Sequence, residues 1–253
     1  MNVDNNVIIE DGKIFYFKNV NSGLFITVPP EYSSTNIFPY QDKGNSDLTA
    51  IPINQMLAFG RILDRSGVYV YRAIAGANSD LYSKIGIQEN TSSIIYVNDY
   101  EDTGNKYLYW KISRNTDGTF RFISMSYYDY NEVLTVGGAS KLAGIPLQST
   151  FTNTTGKESC WQLIPVKFKL KPTNTAPANV RDAGNKNGNV ITQLNDKNEE
   201  YEVYGSMDSY APFKNNKINN TDDWWVRLRY KNGNKSDYNY GWVSMQSLNR
   251  IIP

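Results

Sequence analysis

Three aromatic residues recur at one constant spacing, and this spacing constrains the fold more than any other feature. Phe59 and Trp110 are 51 residues apart, and so are Trp110 and Trp161. The stretches LAFGRILDRSGVYVY and LYWKISRNTDGTFRF align around the first two, with a glycine eight residues after each aromatic. A repeat of this length indicates structural units that cannot bury their apolar faces alone and must therefore pack against one another.

Short runs of alternating apolar and polar residues fill each repeat. Examples are KIFYFKNV, GVYVYRAI and GTFRFISM, and clusters of Gly, Asn, Asp and Ser separate them. This alternation is typical of strands, and the clusters are typical of turns. We therefore predict an all-β fold with three repeats of four strands, closed around a shared axis, with the three spaced aromatic residues in its core.

The absence of histidine excludes several classes of chemistry. Catalysis by Ser-His-Asp or Cys-His groups needs an imidazole. The chain has no histidine among 253 residues and one cysteine, Cys160, so it can form neither a His/Cys zinc site nor an intramolecular disulfide. Cys160 precedes Trp161 in an apolar setting, which predicts a buried, unreactive thiol. We expect no enzyme activity, no metal and no cofactor.

Charge and hydropathy limit the partners. The formal net charge is +1, which gives no electrostatic reason to expect nucleic acid. No apolar run reaches the roughly 20 residues of a membrane span, and MNVDNNVIIEDGK lacks the basic and apolar regions of a Sec signal peptide. We expect a soluble protein without membrane insertion, which acts outside the cell or at a cell surface. For that location, it either leaves the cell by another route or was supplied without its signal.

Residues 11–166 resemble a ricin-type β-trefoil lectin domain, and we assign that domain to residues 1–166. The repeat of this family ends in Gln-x-Trp, and Phe59, Trp110 and Trp161 hold the Trp positions. The Gln positions hold Leu57, Leu108 and Ser159, so this part of the motif is degenerate. The resemblance implies a non-enzymatic, carbohydrate-binding protein.

The same resemblance implies where sugars would bind. Each repeat of the family offers a polar residue after its second strand and another about 13 positions later, and the predicted residues are Thr135, Gln148, Phe151, Asn153 and Glu158 in the third repeat, Thr27 and Tyr40 in the first, and Ser83 and Tyr96 in the second. None of the three repeats has the aspartate that the family uses. We expect the third site to be the most effective and the second the least.

The C-terminal part differs from the three repeats in composition and in its motifs. KFKLKPTNTAPA, residues 167–178, is predicted to be a linker because it carries prolines and polar spacers. Residues 179–253 resemble a bacterial SH3-like (SH3b) domain through Asn179-Val180-Arg181, Trp225 and Gly241-Trp242-Val243. That resemblance implies an SH3-like β-barrel in which Trp225 and Trp242 are structural. It leaves Trp224, Tyr238 and Tyr240 to form a groove for cell-wall peptides.

Together the two resemblances favour a bacterial, secreted protein that binds glycans or peptidoglycan on a cell surface. It would serve as the receptor-binding part of a toxin, haemagglutinin or bacteriocin system, with a toxin protein as a further partner. Two alternatives stay open: the accessory targeting part of a peptidoglycan hydrolase system, and an assembly protein that docks a partner through the SH3-like barrel.

Overall fold

A computed structural model describes residues 7–28, 39–44, 53–63, 69–75, 83–87, 94–98, 109–125, 132–151, 156–205, 212–217, 221–231 and 237–251. The all-β prediction is confirmed. The strands of the three repeats are β1 Ile14–Asn19, β2 Phe25–Thr27, β3 Tyr40–Asp42, β4 Met56–Leu63, β5 Tyr69–Ala75, β6 Ser83–Ile87, β7 Ile94–Asn98, β8 Trp110–Arg114, β9 Phe120–Ser124, β10 Glu132–Val136, β11 Leu147–Phe151 and β12 Trp161–Pro165.

Six of these strands close into a ring. Strand β1 pairs with β4, β4 with β5, β5 with β8, β8 with β9, β9 with β12, and β12 returns to β1, with every pair antiparallel. The remaining strands form three hairpins, β2–β3, β6–β7 and β10–β11, which attach to β1, β5 and β9. A six-stranded barrel with three hairpins is the β-trefoil arrangement, and it gives four strands to each repeat.

The spaced aromatic residues lie in the core of this barrel, as predicted. Phe59, Trp110 and Trp161 are fully buried, and each packs in one apolar cluster. Phe59 stacks on Phe17 and Phe122, with ring centroids 5.2 and 5.9 Å away. Aromatic side chains bury large areas, so equivalent rings from three repeats can fill the barrel centre together.

The two tryptophans also hold the hairpins. Trp110 donates its indole N–H to the carbonyl of Ile85 at 2.8 Å, and Trp161 donates to the carbonyl of Leu134 at 3.1 Å. A buried indole N–H needs such a partner. The two bonds therefore mark Ile85 and Leu134 as equivalent positions of the second and third hairpins.

Residues after 166 form two further sheets. Their strands are β13 Lys167–Leu170, β14 Ala178–Arg181, β15 Val190–Leu194, β16 Tyr201–Glu202, β17 Phe213–Asn215, β18 Trp224–Lys231, β19 Tyr238–Ser244 and β20 Leu248–Arg250. One sheet has the order β16-β13-β20, and the other has the order β15-β14-β19-β18-β17. In the described part of the chain, no helix is long and apolar enough to cross a membrane.

The segment predicted as a linker begins with a strand. In β13, Phe168 and Leu170 are buried while Lys169 points outward, and the strand lies at the centre of its sheet. The prolines and polar spacers of 171–177 follow as the connection. The alternation of lysines with apolar residues in KFKL is a strand pattern, which the composition of the whole stretch concealed.

The barrel and the C-terminal sheets share a second apolar cluster. The outward faces of β1 and β4 contribute Ile14, Tyr16 and Met56, which pack in one cluster with Phe168 and Leu228. Backbone bonds cross the same boundary, from the Ile14 N–H to the Val203 carbonyl at 3.1 Å and from the Gly205 N–H to the Gly12 carbonyl at 2.8 Å. Strand β1 is therefore buried on both faces.

Charged groups reinforce this boundary. Lys13 Nζ lies 2.9 Å from Glu202, and Arg229 contacts Glu10 at 2.7 Å as well as Glu202. The Tyr204 hydroxyl donates to Glu10, and burial together with this bond raises the pKa of Tyr204. The Lys13–Glu202 and Arg229–Glu10 contacts each join a residue before 14 to one after 200, whereas Arg229–Glu202 lies within the C-terminal part. Partial burial reduces the solvent screening of all three contacts.

Candidate functional site

The third hairpin brings two of the predicted sugar-binding residues together. Thr135 and Gln148 are directly opposite each other across β10 and β11, so their side chains lie on the same face of the hairpin. Gln148 is exposed, and its amide lies against Gly137, where a Cβ atom would come within 3.3 Å of the Gln148 Cδ. A Cβ atom at this position would require the Gln148 amide to shift by a few tenths of an ångström.

The Thr135 hydroxyl is buried without a hydrogen-bond partner among the described residues. The residue is 5% exposed, although its neighbour Gln148 faces solvent. A buried hydroxyl is normally paired, and each exception needs an explanation. Because this oxygen has almost no surface exposed to solvent, a ligand hydroxyl would reach it only after neighbouring side chains shift.

The connection between β10 and β11 is fixed by a residue of the first repeat. Gln41, which is 0% exposed, donates to the carbonyl groups of Ser140 and Leu142 at 3.0 and 2.7 Å. Its carbonyl oxygen accepts from the Ser22 hydroxyl at 2.7 Å. The connection also contains a left-handed residue other than glycine, Ala139, with φ 52°. It is therefore held in one shape from outside its own repeat.

Gln41→Ala is expected to loosen the 137–146 connection, because it removes the side-chain amide that donates to the carbonyl groups of Ser140 and Leu142. Each lost hydrogen bond costs about 0.5–1.5 kcal/mol. We expect faster amide hydrogen exchange across 137–146, with slow exchange retained in the barrel strands. Gln193→Ala, at an exposed glutamine of β15, is the matched control. Unchanged exchange at 137–146 would show that Gln41 does not hold this connection.

The other predicted residues of the third repeat have different placements. Glu158 lies in the 3₁₀ turn Lys157–Ser159, where its carboxylate lies close against Gly156 and its backbone carbonyl accepts from Asn19 at 2.8 Å. Phe151 ends β11 opposite Glu132. Asn153 lies outside the described residues. Cys160 is a buried free thiol, as predicted.

The first repeat has the same cross-strand geometry with its hydroxyl already engaged. Thr27 is opposite Tyr40, as Thr135 is opposite Gln148. The Thr27 hydroxyl donates to the carbonyl of Phe25 and accepts from the Gln55 amide at 3.0 Å. Tyr40 is half-buried, and this burial raises its pKa. Phe25 and Gln55 therefore already supply the hydrogen-bond partners that a ligand would offer to the Thr27 hydroxyl.

The second repeat has glycine at the equivalent position. Because the indole bonds align Ile85 with Leu134, the counterpart of Thr135 is Gly86, which is opposite Ile95. Ser83 pairs with Asn98 rather than with Tyr96. The spacing of 13 residues therefore predicted the wrong partner for Ser83. Gly86, at the position equivalent to Thr135, has no side chain that could contact a sugar.

The predicted groove of the C-terminal part requires a correction. Trp224 packs against the shared apolar cluster, on the same face of β18 as Val226 and Leu228. Tyr238 and Tyr240 lie on the opposite face, where Trp225 also lies. The alternation in WWVRLRYK indicates this arrangement, because Trp224 has the same parity as the apolar residues and Trp225 that of the basic residues.

Tyr238 and Tyr240 are exposed and flanked by cations. The Arg229 guanidinium lies 4.3 Å from the Tyr238 ring centroid, and that of Arg227 lies 4.7 Å from the Tyr240 ring centroid. The Tyr240 ring also packs on Tyr204 at 5.1 Å. Such contacts hold the rings in place. Among the described residues, no group of three or more His, Cys, Asp or Glu side chains could hold a metal ion.

Comparisons with known proteins support the fold and leave the sequence family open. No protein-family model matches the sequence, and no curated protein matches it. The structure of a mosquitocidal holotoxin is 11% identical, with a TM-score of 0.50 over 98% of this chain and 28% of the toxin chain. At this identity the likeness is one of fold, and it spans both the barrel and the C-terminal sheets.

Two further solved structures match about three fifths of the chain. The Macrolepiota procera ricin B-like lectin, in complex with lactose, is 20% identical, with 62% of this chain and 99% of the lectin covered and a TM-score of 0.44. The designed threefold symmetric protein ThreeFoil is 16% identical, with coverages of 61% and 99% and a TM-score of 0.47. These three likenesses do not identify the C-terminal part as SH3-like, which stays a prediction.

Proposed function

We propose that this protein is a non-enzymatic lectin that binds carbohydrate at the hairpin of its third repeat. The observation that carries the proposal is the buried, unpartnered Thr135 hydroxyl beside the exposed Gln148 amide. Neighbouring hydroxyls on a pyranose ring can donate to one of these groups and accept from the other. The first repeat has its hydroxyl engaged by Gln55, and the second has glycine, so the third hairpin is the principal site.

The chemistry of this site implies modest affinity. A hydrogen bond between neutral groups contributes only about 0.5–1.5 kcal/mol net. Thr135 occupies the position where the family has aspartate, so the charge-assisted bond of a carboxylate is absent there. Useful binding then requires several contacts on one surface. A glycan-bearing cell surface or cell wall supplies many copies of a ligand.

The wider role follows from the joined architecture. We propose that the chain acts outside the cell as the receptor-binding part of a toxin or related system, with glycan or peptidoglycan as its target. The likeness to the mosquitocidal holotoxin supports this role, because it covers 98% of the chain. The C-terminal sheets would serve as an SH3-like module in the same role.

A glycan array with the intact protein tests the lectin proposal. Gln148→Ala is expected to reduce the signal on the bound glycans about tenfold, because the amide supplies both a donor and an acceptor. The exposed Gln193 of β15 provides the control, since Gln193→Ala should bind as the unmodified protein does. Equal binding by Gln148→Ala would exclude the third hairpin, and a clearing zone on purified peptidoglycan would exclude the non-enzymatic role.

A further inference from the structure

A cavity of about 490 Å³ opens on the outer face of the C-terminal sheet, near one end of the β18–β19 pair. Its floor is Trp225 and Ser244, which are directly opposite each other on the two strands. The Trp225 indole N–H donates to the carboxylate of Asp223 at 2.9 Å, so the ring is fixed in place. The volume falls within the about 300–1,000 Å³ that is usual for small-molecule sites.

The cavity lies apart from Tyr238 and Tyr240. Trp225 precedes Arg229 by four residues along β18, and Arg229 is the partner of Tyr240. At the strand rise of about 3.3 Å per residue, this separates the cavity from the tyrosine pair by about 13 Å. It is also distinct from the third hairpin, because its lining comes only from residues after 185.

The walls of the cavity carry an excess of negative charge. Asp222 and Asp223 lie on one side, and Lys186 is the one cationic residue among those that line it. Asp222 accepts from the Asn215 amide at 2.8 Å, and the Asn215 carbonyl oxygen accepts from the Asp223 N–H at 3.2 Å. The Asn215 amide thus holds the Asp222 carboxylate, and the Trp225 indole holds that of Asp223 before any ligand arrives, which reduces the entropy lost on binding.

The wall that carries Lys186 is also built in advance. The loop between β14 and β15 is closed by Asp182, whose carboxylate accepts from the N–H and the side-chain amide of Asn189, both at 2.8 Å. Gly184 packs so closely on the Trp242 ring that a Cβ atom would lie 2.9 Å from it. The loop is thus anchored to the sheet at the edge of the cavity.

We propose that this cavity binds an amino sugar that carries a free, protonated amine. The paired carboxylates suit an ammonium group, which forms charge-assisted hydrogen bonds with them. Thr221, Ser244 and Gln246 present two hydroxyls and an amide to the same space, and these groups suit ring hydroxyls. Trp225, which is largely buried, lines the floor of the cavity and supplies an apolar contact. A simple alkylamine would leave the neutral polar groups without partners, and a neutral sugar would leave the excess negative charge of the walls uncompensated.

Isothermal titration calorimetry on the full chain tests this inference with glucosamine, N-acetylglucosamine and n-butylamine. Glucosamine is expected to bind at least about tenfold more tightly than either of the others. Asp222→Asn, which keeps the shape and removes a charge, is expected to weaken glucosamine binding about tenfold. Asp196→Asn is the matched control, because Asp196 is an exposed acid of the same part of the chain outside the cavity.

Three results would overturn the inference. If N-acetylglucosamine bound as tightly as glucosamine, the charge of the amine would play no part in binding. If n-butylamine bound as tightly as glucosamine, the hydroxyl-binding groups would play no part. Unchanged affinity in both Asp222→Asn and Lys186→Ala, two exposed positions whose replacement spares the fold, would place the ligand elsewhere. Gln148→Ala is expected to leave glucosamine binding intact, so the failure of the third hairpin as a lectin site and the failure of this cavity are separate outcomes.

Discussion

Replacing Trp161 by alanine is expected to lower the free energy of unfolding by about 4–6 kcal/mol. The indole is fully buried in the barrel core, and truncating a buried tryptophan to alanine costs about 3–5 kcal/mol. The Leu134 carbonyl also loses the indole donor, which adds about 1 kcal/mol or more. Because whole domains are stable by only about 5–15 kcal/mol, the variant should be largely unfolded at moderate urea concentrations. Urea titration followed by circular dichroism measures the change.

The chain supplies its own control for this experiment. Phe59 fills the equivalent position of the first repeat, so Trp161→Phe places a side chain that the barrel already accommodates. We expect this variant to lose about half as much stability as Trp161→Ala, since it keeps most of the apolar volume and loses the hydrogen bond. Equal losses in the two variants would mean that the indole bond to the third hairpin, rather than core volume, dominates.

A fragment that ends at Val166 is expected to be unstable, although the resemblance to trefoil lectins places a domain boundary there. Strands β1, β2 and β4 would expose Ile14, Tyr16, Phe25 and Met56, all of which are buried in the intact chain. Burying a large apolar side chain contributes about 1.5–3 kcal/mol, so these four positions together approach the stability of a domain. We expect the fragment to bind the dye ANS and to unfold at a much lower temperature than the full chain.

Polar substitutions on the same face test whether exposed apolar side chains cause the fragment to bind ANS. Ile14→Thr and Met56→Thr should reduce ANS binding by the fragment, because they remove exposed apolar surface. In the full chain the same two substitutions should be destabilising, because there they bury hydroxyl groups in an apolar cluster. A fragment with the melting temperature of the full chain and no ANS binding would show that the shared cluster adds little.

The barrel could be predicted from the sequence because its signal is repeated. Phe59, Trp110 and Trp161 are equally spaced because the chain between equivalent strands has the same length in each repeat. The repeats close into a ring in which β12 pairs with β1, so the three residues stay equivalent. The second apolar cluster was less visible. The run IFYF in β1 has no polar residue to mark a solvent face, and such a run is typical of a strand buried on both sides. Composition alone predicts a linker at residues 167–178, although Lys167–Leu170 form β13.

The site could be predicted only in part, because register and side-chain pairing are decided in three dimensions. The 13-residue spacing correctly placed Gln148 opposite Thr135 and Tyr40 opposite Thr27, and it failed for Ser83 because the second hairpin is shorter. The engagement of Thr27 by Gln55 is a contact between residues 28 positions apart, and no local pattern indicates it. The alternation along β18, by contrast, indicates correctly that Trp224 lies on the same face as Val226 and Leu228.

The cluster that joins the barrel to the C-terminal sheets fixes the relative placement of the two proposed binding sites. Two binding modules on a flexible tether can reach ligands over a range of separations. Here the third hairpin and the cavity beside Trp225 belong to parts that share buried side chains and backbone hydrogen bonds, so the distance between them is set by the fold. Under the proposed function, we expect simultaneous binding at both sites only on targets whose ligands have a matching separation. The density and spacing of a glycan coat would then be part of what the protein distinguishes.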